Sequence, residues 1–178
     1  MLMMLNRDKI SGYLILVGVS QFLLFFTVSE ILYPNYSVKY NYISDLGVGG
    51  TAIIFNTSIV IMGILVIISS LLLRVNYSPL VFLVGLGAAL VGIFPENTGF
   101  PHLIAALITF LFGGIGAIFT SIRRNYFWTI LGLITLASLV LYILKDYGPL
   151  GPGGMERIIV YPEIIWGISF GTYLTRQS

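Results

Sequence analysis

Long apolar runs, broken by short polar stretches bearing glycine or proline, set the pattern of this chain. Each run approaches the roughly 20 residues that a helix rising about 1.5 Å per residue needs to cross a bilayer. The runs predict six helices, at 10–33, 53–73, 78–94, 101–122, 126–144 and 157–174. Pro34, Arg74 and Pro95 stop the first three, and Pro101 opens the fourth at a position where its missing N–H costs little. A membrane barrel would show short segments of alternating polarity, whereas these runs are continuous and rich in Gly and Ala. The first run follows Arg7 and Lys9, exceeds a signal-peptide core and lacks a small-x-small cleavage site, so a retained first helix is expected. Gly151-Pro152-Gly153-Gly154 lacks the spacing and the Lys-Ser/Thr ending of a phosphate loop and reads as a turn before the last helix.

Within the runs, small residues recur four apart. Gly85/Ala89 and Ala88/Gly92 mark helix 3, Gly113/Ala117 helix 4 and Gly167/Gly171 helix 6. Such pairs let membrane helices approach backbone to backbone and predict a compact bundle. Polar stripes mark the inward faces at helical spacing. They are Asn56, Gly63 and Ser70 in helix 2, His102, Ala106, Thr109 and Gly113 in helix 4, and Glu156, Val160, Glu163 and Gly167 in helix 6. These faces are expected to meet around a polar cluster in the outer half of the bundle.

Composition strengthens the membrane reading. The chain of 178 residues is 57% hydrophobic and 9% charged, against about 25% charged in soluble domains. A single transmembrane domain, 1–178, is expected. The net charge of +2 and the absence of a basic run point away from nucleic acid. With no cysteine, disulfides, thiolate metal sites and Cys nucleophiles are excluded. Arg7, Lys9, Arg74, Arg123, Arg124 and Arg176 fall on one side of a six-span topology, which predicts that both termini are cytoplasmic. Lys39, Lys145 and Arg157 fall on the other. Of the acids only Asp8 joins the basic side; Glu30, Asp45, Glu96, Asp146, Glu156 and Glu163 lie on or near the outer side.

Three stretches carry most of the specific chemistry, all at predicted outer helix ends: Tyr40-Asn41-Tyr42-Ile43-Ser44-Asp45-Leu46-Gly47, Gly92-Ile93-Phe94-Pro95-Glu96-Asn97 with His102 after it, and Gly154-Met155-Glu156-Arg157 with Tyr161-Pro162-Glu163. In this order, and with Phe55-Asn56 between the first two, they resemble the domain-of-unknown-function 998 family over roughly residues 10 to 175. The resemblance implies a small multi-helix protein of an archaeal or bacterial cell membrane. It implies no activity.

Each residue has a bland reading and a functional one. Asp45 either caps or hydrogen-bonds a turn, or serves as ligand or base at the mouth of the bundle. His102, the only histidine, is a structural hydrogen-bonding residue, a proton shuttle, or a metal ligand with Glu96 and Glu163. Glu163 lies inside an apolar run, where a charge costs about 2.5–3.5 kcal/mol. It needs a partner, a proton or a polar cavity; Arg157 is one conceivable partner, and another helix offers others. Glu156-Arg157 reads as an exposed pair worth under about 1 kcal/mol or as an outer clamp. Asn41, Ser44, Asp45, Asn56, Glu96, Asn97, His102, Glu156, Arg157, Tyr161 and Glu163 form the candidate ligand-binding set, and Asp45, His102 and Glu163 the catalytic candidates. Tyr40, Tyr42, Tyr161 and Trp166 fit an interfacial aromatic belt. Asn35-Tyr36-Ser37 is an acceptor sequon on the outer loop.

Three functional classes follow. The first is a lipid-binding or membrane-complex scaffold protein, whose partners are membrane lipids, other membrane subunits or further copies of itself. The second is a membrane-embedded hydrolase acting on a lipid or its head group, with a metal as a possible cofactor. The ceramidase-like membrane hydrolases resemble this chain only in outline, since they rely on several histidines. The third is a small transporter, against which stands the lack of an inverted repeat.

Overall fold

The computed structural model describes residues 7–177, and every regular element among them is helical. The helices are α1 (Arg7–Leu32), α2 (Ala52–Leu72), α3 (Ser78–Ile93), α4 (Phe100–Ser121), α5 (Tyr126–Ile143) and α6 (Gly151–Thr175), one for each predicted run. Among the described residues, five are long and apolar enough to cross a membrane, and α3, with 16 residues, is shorter. Large apolar side chains such as Leu24, Ile31, Ile53, Leu71 and Leu103 stand more than half exposed. On a multi-pass membrane protein that surface belongs against lipid tails.

Consecutive helices are neighbours, and α6 closes the ring against α1. α4 and α6 also touch, which leaves α5 outside the interior. Both described chain ends and the 73–77 and 122–125 connections lie at one face, here the termini face. The 33–51, 94–99 and 144–150 connections form the opposite face.

Close approach holds the ring together. A Cβ on Gly63 would fall 2.5 Å from the Ala89 backbone nitrogen, and one on Gly12 would fall 2.7 Å from the Gly171 carbonyl oxygen. Polar groups bridge helices where hydrocarbon offers them nothing else. Ser11 and Ser69 each donate to the other's carbonyl, at 3.1 and 3.0 Å. Trp128 Nε1 donates to Ser169 Oγ at 2.8 Å, and Thr135 Oγ1 to the Ile159 carbonyl at 3.1 Å.

One boundary departs from the pattern. α6 begins at Gly151, six residues before the predicted start, so Gly151-Pro152-Gly153-Gly154 forms its first turn instead of a separate one. Gly151 takes a positive φ of 71° where the chain enters the helix. Gly153 N–H donates to the Lys39 carbonyl at 3.1 Å, and a side chain on Gly153 would collide with the Val38 and Asn41 carbonyls. The glycines bring the helix start against the 38–41 backbone. Pro162 lies inside the helix, which it enters without a donor.

Candidate functional site

α1, α2, α3, α4 and α6 enclose a cavity of about 100 Å³. Its wall is mainly Val, Ile, Phe, Ala and Gly, and the groups able to ionise are Glu156, Glu163 and His102. Two of the three stripes read from the sequence contribute walls: His102, Ala106 and Thr109 on α4, and Glu156, Val160, Glu163 and Gly167 on α6, line it. Asn56, Gly63 and Ser70 of α2 do not, Gly63 packing instead on the Ala89 backbone. The polar cluster expected there is therefore an apolar shaft with sparse polar groups. From Glu156 to Phe170 it follows α6 for about 21 Å.

Glu163 sits near the middle of α6 because the helix starts so early. Its carboxyl lies against Gly113, where any larger side chain would overlap it. Glu163 lines the cavity, and its Oε1 is buried with no hydrogen-bond partner. It pairs neither with Arg157 nor with any other cation, so the conceivable Arg157 pairing is not made.

Glu156 is buried at the opposite-face end of the cavity, where Oε2 accepts the Ile43 N–H at 2.5 Å. Arg157, adjacent in sequence, points elsewhere. Its Nη2 meets Glu30 Oε1 and Tyr36 Oη, both at 2.5 Å. Its Nη1 donates to the carbonyls of Val38, Asn41 and Gly153 at 3.1, 3.3 and 2.8 Å. The exposed Glu156-Arg157 pair expected from sequence is corrected on both counts: each residue is buried, and their partners differ. The sequence reading missed Glu30 and Tyr36 as those partners. An acid near the end of helix 1 facing an Arg near the start of helix 6 was the available signal.

His102 is buried, with Nδ1 2.8 Å from the Phe94 carbonyl. A carbonyl only accepts, so Nδ1 carries the proton and Nε2 is the ring's acceptor. Asp45 does not cap a following helix. Its Oδ2 accepts from Asn41 Nδ2 and Tyr42 N at 2.9 and 3.0 Å, pinning the turn that precedes it. Asn41 Oδ1 in turn accepts the Ser37 N–H. Ser44 lines the same end of the cavity as Glu156. Glu96, in the 3-10 turn Glu96–Thr98, hydrogen-bonds Asp45 and Ser44. Burial, the Asp45 hydrogen bond and the Asp45 charge push the Glu96 carboxyl up to about 7, against the opposing Ser44 bond.

The remaining candidates separate. Asn56 Nδ2 donates to the Gly47 carbonyl at 2.9 Å, and its Oδ1 is buried without a partner. Asn97 is exposed. Tyr161 is exposed and packs on Phe26. Trp166 is not interfacial: it is buried, and its Nε1 donates to Thr120 Oγ1 at 2.9 Å. Among the described residues, no three His, Asp or Glu side chains gather as metal ligands. The reason is axial. Glu163 faces Gly113, and eleven residues of α4, about 16 Å, separate Gly113 from His102.

Residues 16–173 match the family described as "Protein of unknown function (DUF998)". The match covers nearly the whole chain, which therefore belongs to that family. No curated protein and no solved structure matches it.

Proposed function

We propose that this DUF998 protein binds a membrane lipid by drawing one hydrocarbon tail into the bundle while the polar end stays at the face opposite the termini. The observation that carries the reading is the cavity. It is walled by apolar side chains for most of its length and has its polar groups toward one end: Ser44, His102 and Glu156 at the mouth, Thr109 and Glu163 midway. A closed core would have filled that space, since packed interiors leave few voids and each one forfeits contacts. One slender chain matches the space in shape and polarity. The Lys/Arg bias favours cytoplasmic termini, so the mouth would open toward the outer leaflet.

A photoreactive lipid with a diazirine in its tail tests this on the purified, full-length protein. Crosslinks should map to wall residues such as Val160, Ile164 and Ala106. Ala106→Phe, which fills the space, should cut labelling at least about tenfold and leave the melting temperature unchanged or higher. Labelling confined to lipid-facing residues such as Leu103, or undiminished in the filled variant, would remove the proposal. The hydrolase reading has less support, because the catalytic candidates Asp45, His102 and Glu163 do not converge.

A further inference from the structure

Resting on that reading, we infer that the cavity selects its lipid by head-group charge, accepting a neutral hydroxyl or a cationic amine and rejecting a carboxylate or phosphate. Every ionisable group on the wall is an acid or an imidazole, and no Lys or Arg contributes. Arg157, the buried cation nearest in sequence, is turned away and already neutralised by Glu30. His102 lines the cavity and has committed its Nδ1 proton to the Phe94 carbonyl, so in the neutral ring the remaining nitrogen is an acceptor. Glu156 has one carboxyl oxygen engaged by Ile43. The other is not among the buried oxygens left without a partner, and Glu156 itself lines the mouth. Asp45 and Glu96 add further acid beside that mouth.

Helix dipoles do not reverse this balance. Of the five helices around the cavity, α2, α4 and α6 start at this face and α1 and α3 end there. Two pairs of opposed ends therefore offset one another, and a single N-terminus, about half a unit charge, is left over. An anionic head group would enter a site whose wall holds no Lys or Arg to compensate its desolvation. An alcohol or ammonium supplies the donors that Glu156 and His102 lack. Deeper in the shaft, the unpartnered Glu163 carboxyl accepts a second donor or hydrogen-bonds a polar substituent on the tail.

Three photoreactive probes with the same diazirine tail, ending in a primary alcohol, a primary amine or a carboxylate, separate the possibilities at neutral pH. The alcohol and the amine should label the cavity at least about tenfold more strongly than the carboxylate. Glu156→Gln keeps an oxygen for the Ile43 N–H. It should lower labelling by the amine more than labelling by the alcohol. Equal labelling by all three probes, or preference for the carboxylate, would overturn the charge selection and leave the tail-binding reading standing. An unaltered amine preference in Glu156→Gln would overturn the role given to Glu156. Failure of all three probes to reach the cavity would sink the tail-binding reading, and this inference with it.

Discussion

Glu96 shows how one side chain in this protein becomes a pH-dependent quantity. Its carboxyl is pushed up to about 7, first by burial and then by its neighbour Asp45. An acid whose folded value lies above its unfolded one binds its proton more tightly when folded. Between the ordinary value of 4.5 and about 7, the unfolded chain ionises first, so stability falls as pH rises and then levels off. The melting temperature in detergent should therefore drop between pH 4.5 and about 7, and Glu96→Gln should flatten that drop. Glu96 is only partly buried, so solvent screening holds the difference to roughly 2 °C. An identical slope in the variant would remove Glu96 as its source. At this scale the sequence was only partly legible. It marks Glu163 as costly inside an apolar run, and it reads Glu156-Arg157 only as an exposed pair or an outer clamp. It does not reveal that Arg157 would take Glu30, that Glu156 would take a backbone N–H and that Glu163 would take nothing, because those choices depend on how loop 33–51 folds across the helix ends.

Helices are where the sequence speaks most clearly, because in lipid an unbroken apolar run has few alternatives to a helix. The starts and ends of α1 to α5 fall within three residues of the pattern. α6 departs because Gly and Pro are local breakers by propensity, yet here a tertiary contact decides. The first turn of α6 must lie against the carbonyls of 38–41, and only glycine lets Gly153 do so. Gly153→Ala should therefore cost about 1–3 kcal/mol by overpacking and lower the melting temperature by roughly 2–10 °C. Gly50 has open space around it. Gly50→Ala should stay within about 0.5 kcal/mol of the parent. If both variants melt alike, the close approach at 38–41 is not what fixes the helix start. The same logic explains the stripes. Periodicity identified which faces turn inward, but it carries no information on how far apart those faces stand, and that distance makes the difference between a polar cluster and an apolar shaft.

Taken as a whole, the molecule has a sidedness that its geometry divides but does not orient. The ring puts both described chain ends on one face and the Glu156 end of the cavity toward the other. Which face meets the cytoplasm is left to the Lys/Arg distribution, an effect exerted during insertion and not by any contact in the finished fold. The chain has no cysteine, so single cysteines can report on it without a background. Asn76, between α2 and α3, and Asn97, between α3 and α4, are both exposed and uncharged, and they lie on opposite faces. Replacing either leaves the charge bias intact. In intact cells a membrane-impermeant maleimide should label Asn97→Cys at once and Asn76→Cys only after permeabilisation. The opposite result would invert the protein, turn the cavity mouth to the cytoplasm and make its lipid one drawn from the inner leaflet. The proposed tail-binding site would survive that inversion, because the cavity is built from helix faces that pack identically whichever way the bundle is inserted.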